Sequence, residues 1–283
     1  MSSDDDRKRV TLHDVRRWVA AGQRFPMLSC YDATTASWVW QGGIDFLLVG
    51  DTAARFILGH DSTLPAPVPF MMELTAAVRR GAPNALIMAD MPFGSYQCGQ
   101  DDAMRHAASF LTDGAADMVK IEVDTSFEPL VRRMSSAGIP VVAHLGSRPQ
   151  HKRLLGPSSR VIYRSDKQVA ETIETSRCMV ESGAVMLLLE AVPDEVSAGV
   201  VDAVSAAGPG RTAVPVIGCG AGPSCHGHVV VLHDLLGLTD WQPPFAPPLA
   251  DLGAQIRQAA SDWGDQVRGG RYLRDDHPYK VGS

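Results

Sequence analysis

Ionisable residues in this sequence recur at one kind of place, the C-terminal end of a short apolar run. Gly-Asp-Thr closes one run at Asp51, Ala-Asp closes the next at Asp90, and Lys-Ile-Glu closes a third at Lys120 and Glu122. His144 and Glu190 close the two runs after that. A lone Asp after a strand is most simply the N-cap of the following helix, so any one of these positions carries little. Lys120 and Glu190, however, are poor N-caps. Lys120 and Glu122 also stand two apart, so in an extended segment both side chains leave on the same side. Capping does not account for the series; a shared polar site does.

Asp51, Asp90, Glu122 and Glu190 set four carboxylates against one lysine and one histidine. Two carboxylates about 4 Å apart repel by ~4 kcal/mol at an effective dielectric near 20. A cluster of this kind either raises a pKa or binds a cation. Oxygen ligands without a neighbouring cysteine favour Mg²⁺ or a similar ion, held through one or two carboxylates with positions kept for substrate. Lys120 is then free to hold the carboxylate of an anionic substrate. The chemistry this suggests is metal-assisted enolisation, in which the ion polarises a 2-oxo acid and a carboxylate removes the adjacent proton.

A second cluster comprises Cys219, Cys225, His226, His228 and His233. These are zinc-type ligands, but C-x₅-C-H-x-H is not a tight zinc spacing, and no zinc is expected there. Gly218, Gly220 and Gly222 instead suggest a phosphate-binding loop or one of close backbone approach after a strand. Their spacing is not that of a dinucleotide fingerprint.

The elements that must position the first cluster are legible as alternating textures. Apolar runs of strand length fall at Pro26–Cys30, Ile44–Gly50, Ala85–Asp90, Asp117–Glu122, Ile139–His144, Ala184–Glu190, Val214–Gly218 and His228–Leu232. Helical pattern fills Phe70–Arg80, Asp101–Leu111, Phe127–Ala137, Asp166–Ser182 and Pro193–Ala207. This rhythm predicts a single-domain (β/α)₈ barrel over residues 11–283, with a doubly wound open sheet as the alternative. In a barrel the C-terminal strand ends form one catalytic face. Glu190, behind the apolar Met186–Leu189, is expected at that mouth in partly dry surroundings, which strengthen a carboxylate base. Residues 1–10 read as a disordered polar tail, and Thr11 as the N-cap of a helix burying Leu12, Val15, Trp18 and Val19. The Pro243–Pro248 patch reads as a turn into a C-terminal helix near Leu249–Val267.

Composition narrows the function classes. In 283 residues, 45% are apolar and the net charge is −6, without a Lys/Arg-dense stretch, which argues against nucleic acid as partner. No run reaches the ~18 apolar residues of a membrane span, and the N-terminus has no apolar core of a signal peptide. An odd count of five cysteines suits reduced thiols and a cytoplasmic location.

From about Arg16 to His277 the chain resembles the ketopantoate hydroxymethyltransferase family. The segments SCYDATTA, LLVGDT, LGHDSTLP, AVRRGAPNALIMADMPFGSY, GAADMVKIE, GIPVVAHLG, LLLEAVP, IGCGAGPSCHG, VVVLHDLLGL and ADLGAQIRQA carry the likeness. The resemblance implies a TIM-barrel enzyme that moves a one-carbon unit from methylenetetrahydrofolate onto the α-carbon of a 2-oxo acid. By the same resemblance Asp51 and Asp90 are Mg²⁺ ligands that also meet the substrate, with Glu122 near the metal. Thr52 stands where the family has a substrate-binding Ser, Lys120 matches its substrate-binding Lys, His144 its active-site His and Glu190 its catalytic base. A homo-oligomer is implied as well, with a decamer as one size.

The departures from the family pattern are Thr52-Ala53-Ala54-Arg55 in place of Ser-Leu-Gly-Met and Val123-Asp124 in place of Gly-Gly. Leu74 replaces a His, LGPSSRVIYRS replaces a glycine-rich loop over Leu155–Ser165, and Cys225-His226-Gly227-His228 replaces Cys-Asp-Gly-Gln. Most fall in loops that would meet substrate and donor. They fit either drift in a pantothenate-pathway enzyme or a paralogue acting on another 2-oxo acid in secondary metabolism, where Arg55 and Asp124 are new charges near the mouth. Two other functions compete. A lyase or mutase of the phosphoenolpyruvate mutase–isocitrate lyase kind would carry a mobile catalytic Cys loop, of which only Cys98 after Asp90 is reminiscent. A non-catalytic barrel scaffold would have no reason to keep the six strand-end groups together.

Overall fold

The computed structural model describes residues 7–155, 163 and 165–272. Eight strands, β1 (Phe25–Ser29), β2 (Phe46–Val49), β3 (Leu86–Asp90), β4 (Met118–Glu122), β5 (Val141–Gly146), β6 (Met186–Glu190), β7 (Val216–Cys219) and β8 (Gly227–Val230), pair in chain order. Every pair is parallel, and β8 returns to β1 through Phe25↔Gly227 to Leu28↔Val230, so the sheet closes. That closure excludes the open-sheet alternative.

Between the strands run α2 (Ala33–Gln41), α3 (Ala53–Phe56), α4 (Val68–Gly81), α5 (Gln100–Thr112), α6 (Glu128–Ser136), α7 (Lys152–Leu155), α8 (Asp166–Glu181) and α9 (Asp194–Ala203). Ahead of β1 lies α1 (Leu12–Ala20), started by the expected Thr11. The Thr11 side chain accepts from Asp14 N–H, and Asp14 Oδ2 accepts from Thr11 N–H at 3.0 Å. Such a cap is worth about 0.5–2 kcal/mol.

The period of two along each strand explains how one wall serves two purposes. Phe25, Met27, Phe46, Leu48, Leu86, Met88, Met118, Val142, Met186 and Leu188 form one buried apolar cluster, against which Leu12, Trp18 and Val19 of α1 pack. Continuing two residues along the same faces leads from Met88 to Asp90, from Met118 to Lys120 and Glu122, from Val142 to His144, and from Leu188 to Glu190. Register sets their heights: Asp90 pairs with Lys120, Glu122 with His144, and Gly146 with Glu190. The apolar stack fills the barrel and the polar residues crown it.

Part of the expected tail is held in place. Val10 N–H donates to Asn84 O at 2.9 Å, Asn84 Nδ2 donates to Arg7 O at 2.7 Å, and Arg9 pairs with Asp117 at 2.7 Å. Residues 1–6 lie outside the described residues, as does most of the LGPSSRVIYRS segment.

The chain groups into two compact units, Met1–Val231 and Leu232–Ser283, and all eight strands belong to the first. The second contains α10 (Leu232–Leu235) and α11 (Leu252–Arg268). Asp251 caps α11 by accepting from Ala254 N–H at 3.1 Å, a little after the expected helix start. Among the described residues no helix is long and apolar enough to cross a membrane.

Candidate active site

Asp51 lies two residues beyond β2, and its N–H donates to Asp90 Oδ2 at 3.0 Å. That bond sets the two carboxylates of the proposed ion site beside each other. Gly50 permits it, since a Cβ there would sit 2.8 Å from Thr52 Oγ1 and 3.6 Å from Asp90 Oδ2. Lys120 Nζ reaches Asp90 Oδ1 at 3.1 Å and His144 Nδ1 at 3.2 Å. An ammonium only donates, so Nδ1 must accept and the ring hydrogen resides on Nε2. Nε2 faces Glu190 Oε2 at 3.4 Å, yet it is buried without a well-formed hydrogen bond.

Five of these side chains are buried: Asp51, Asp90, Lys120, Glu122 and His144. Glu190 differs, with 27% of its side chain exposed. Burial first, then the charge of Asp90, pushes Asp51 up to about 8. Burial disfavours the charge on Lys120, but Asp90, Asp51 and Glu122 together hold its ammonium above the ordinary lysine range. Burial also works against Glu122, where the His151 hydrogen bond, His144, Lys120 and the Gln150 N–H outweigh it and hold the carboxyl low.

The donor set of Asp51 and Asp90 fits a hard divalent ion. Asp90 Oδ1 is buried and off the line of a proper hydrogen bond, and a cation would offset the repulsion that raises Asp51. Glu122 is turned elsewhere. Its oxygens accept from Gln150 N–H at 3.1 and 3.2 Å, and Oε2 lies 3.2 Å from His151 Nδ1. Among the described residues no three His, Cys, Asp or Glu side chains gather at metal-binding spacing. Asp51 and Asp90 are thus the carboxylates set side by side, whereas Glu122 is already bonded to Gln150 and lies against His151.

Thr52 Oγ1 lies 2.7 Å from Tyr31 Oη. Burial keeps that phenol neutral, well above its usual range. Reading strand ends did not find Tyr31 and Tyr96, which lie on loops, or Gln150 and His151, which lie on the short 3₁₀ turn Pro149–His151. Tyr31 and Tyr96 fall inside the motif segments SCYDATTA and MPFGSY, whereas Gln150 and His151 had no signal.

Several departures have local uses. Asp124 accepts from Ser126 N–H at 3.0 Å and pairs with Arg148 Nη1 at 2.9 Å. Arg55 is exposed, its guanidinium 5.5 Å from the centre of the Phe56 ring. In the second cluster, His226 Nδ1 accepts from Val216 N–H at 3.0 Å and Cys225 is buried. Asp194 at the start of α9 accepts from Ser224 N–H at 3.0 Å. A Cβ on Gly222, at φ +76°, would strike Asp194 at 2.5 Å, which is the close approach expected of this glycine loop.

The geometry can bind an anion beside a cation and move a proton at Glu190, and known proteins of like sequence are transferases. The sequence profile of the ketopantoate hydroxymethyltransferase family matches residues 9–274. The 3-methyl-2-oxobutanoate hydroxymethyltransferase of Mycobacterium tuberculosis (strain ATCC 25618 / H37Rv) is 37% identical over 274 residues, covering 96% of this chain and 94% of its own. Among solved structures, 2,3-dimethylmalate lyase, a PEP mutase/isocitrate lyase superfamily member, superposes with a TM-score of 0.61 at 15% identity, covering 95% of this chain and 88% of that one. Phosphonopyruvate hydrolase, in complex with oxalate and Mg²⁺, superposes with a TM-score of 0.59 at 12% identity, covering 96% and 93%. The last two likenesses establish a shared barrel, whereas the first two establish descent: the chain belongs to the ketopantoate hydroxymethyltransferase family.

Proposed function

We propose that this protein moves a one-carbon unit from methylenetetrahydrofolate to the α-carbon of a 2-oxo acid, where it becomes a hydroxymethyl group, with Mg²⁺ or a similar ion at Asp51 and Asp90. The observation that carries the reading is the continuous chain Asp51–Asp90–Lys120–His144–Glu190 at the C-terminal barrel face. The name of the mycobacterial relative favours 3-methyl-2-oxobutanoate as the acid. A barrel of like fold described with oxalate and Mg²⁺ is in keeping with an ion here.

When bound, the ion would draw electron density from the 2-oxo group and acidify the neighbouring C–H. Lys120, held cationic among carboxylates, supplies a fixed positive charge to an acid substrate. The His144 Nε2 hydrogen has no protein partner in good geometry and is available to a substrate oxygen. Glu190 takes the proton from the α-carbon, and its partial exposure lets that proton leave to solvent. Water cleaves both C–N bonds of the donor's methylene group, which leaves tetrahydrofolate with a hydrogen on each nitrogen and the one-carbon unit as formaldehyde. The carbanionic carbon adds to that carbon, and its carbonyl oxygen takes up a proton to become the hydroxyl of the product.

The test is NMR of 2-oxo acids in D₂O with no folate present. Exchange of the α-carbon proton that requires protein and Mg²⁺, and stops with a chelator, is the expected result. Absence of exchange for 3-methyl-2-oxobutanoate and every other 2-oxo acid tried would overturn the reading in favour of a non-catalytic barrel.

A further inference from the structure

Gln150 sits at the centre of the buried network, and nothing in the reaction above assigns it a task. Its side-chain amide uses all four hydrogen-bonding positions. Nε2 donates to Asp51 Oδ2 at 2.9 Å and to Met91 O at 3.1 Å, while Oε1 accepts from Tyr96 Oη at 2.7 Å and Gln97 Nε2 at 3.1 Å. Its backbone N–H meanwhile holds Glu122.

The orientation of that amide follows from groups that cannot change role. Gly94 N–H and Tyr96 N–H only donate, and both point at Gln97 Oε1, at 2.7 and 3.4 Å. Gln97 must therefore turn its NH₂ to Gln150 Oε1. Glu122 N–H donates to Tyr96 Oη at 3.0 Å, and the Tyr96 hydrogen finds the same Gln150 oxygen at 2.7 Å as its nearer acceptor, with Glu122 O at 3.5 Å. At the far end Met91 O only accepts. A flipped amide would put an acceptor against two acceptors and a donor against two donors. Backbone groups on β-strand ends and loops thus force an N–H toward Asp51.

We propose that Gln150 is a positioning residue for the ion site: it pins Asp51 Oδ2, leaving Oδ1 without a protein hydrogen bond among the described residues, with Tyr96 and Gln97 setting its orientation. Asp90 is pinned in the same way by Asp51 N–H on Oδ2. Each carboxylate then has one oxygen fixed by the scaffold. The inference rests on the reading of Asp51 and Asp90 as ion ligands.

The experiment measures Mn²⁺ dissociation constants by titration calorimetry, on protein without substrate, for wild type, Gln150→Met and Tyr96→Phe. It is paired with metal-dependent proton exchange of 3-methyl-2-oxobutanoate. Partners that orient a metal ligand typically matter by 10–100-fold in affinity, so Gln150→Met should weaken Mn²⁺ by at least about tenfold. Tyr96→Phe keeps the Gln150 amide with one anchor fewer and should fall between the two. At saturating Mn²⁺ the exchange rate of Gln150→Met should recover, and the KM for the 2-oxo acid should match wild type, which general loss of fold would not produce. Folded Gln150→Met with wild-type Mn²⁺ affinity would overturn the inference while leaving the ion site standing. If Gln150→Met does not fold, wild-type affinity in Tyr96→Phe overturns it. Failure of wild type to bind Mn²⁺ would overturn both this and the reading it rests on.

Discussion

Replacing Lys120 by Met tests whether this lysine is the resident counter-ion of the carboxylates. Nζ lies 3.1 Å from Asp90 Oδ1, and both side chains are at most 8% exposed. At that separation and an effective dielectric near 20 the attraction is about 5 kcal/mol. Removing one partner of a buried pair costs ~3–5 kcal/mol, because the other charge stays behind unpaired. Lys120→Met should therefore lose ~3–5 kcal/mol of stability in chelator, a urea midpoint about 1–2 M lower for a slope near 3 kcal/mol/M. The double variant Asp90→Asn/Lys120→Met no longer strands that carboxylate and should recover part of the loss. Added Mg²⁺ should also stabilise Lys120→Met more than wild type, since the ion replaces the missing positive charge. Chemical denaturation of the three proteins with and without Mg²⁺ reads all of this. A single variant that unfolds at the wild-type midpoint, or a double variant no more stable than the single, would refute the reasoning.

Glu190→Gln keeps the shape of the proposed base and should slow proton exchange and hydroxymethyl transfer in parallel, by roughly 10²–10⁴-fold. If only transfer collapsed, Glu190 would act on the donor or the departing amine instead. Gly146→Ala should cost at least ~1–2 kcal/mol and reduce turnover: Gly146 has φ +90°, and a Cβ would lie 2.3 Å from Glu190 O and 2.7 Å from Val192 Cγ1. Wild-type stability in that variant would show that the end of β6 can move aside freely. Protein purified without added zinc should hold well below one equivalent by elemental analysis, because His226 Nδ1 and the Asp194-bound loop serve the backbone; a stoichiometric zinc would contradict this.

What was legible in the sequence is what the barrel's period of two governs. Asp90, Lys120, Glu122, His144 and Glu190 each continue an inward-facing apolar row, so hydrophobic pattern plus strand ends were enough to place them together. Strand limits shifted by one or two residues without altering that face, as with Val141–Gly146 against the expected Ile139–His144. Gln150, His151 and Tyr96 were not legible for the converse reason. They lie on connections where no periodicity relates sequence position to direction, and only the folded backbone brings Gln150 to Asp51, ninety-nine residues away in sequence. The bonds of Arg7, Arg9 and Val10 are not legible either, because polar residues at a chain end suggest solvent and their partners Asn84 and Asp117 lie far along the chain.

The same distinction bears on what acid the enzyme accepts. Asp124 reads in the sequence as a new charge for a more polar substrate, but a carboxylate already bonded to Ser126 and Arg148 has little left to offer a ligand. Burial works to raise its pKa, and those two partners outweigh it and hold it below the usual range. Arg55 faces solvent beside Phe56, on the helix that follows Thr52. Neither charge is bonded to Asp51, Asp90, Lys120, His144 or Glu190 among the described residues. The groups that would meet the carboxylate and the 2-oxo group are thus insulated from both departures, and a change of acid would have to act on the substrate's far end. Comparing exchange of 3-methyl-2-oxobutanoate with 2-oxo acids that bear a terminal carboxylate tests this directly. Arg55→Ala should lower only the second class, by an amount that shrinks with added salt because an exposed cation is screened within about 8–10 Å. An equal loss for both classes would place Arg55 in the machinery itself and refute the insulation.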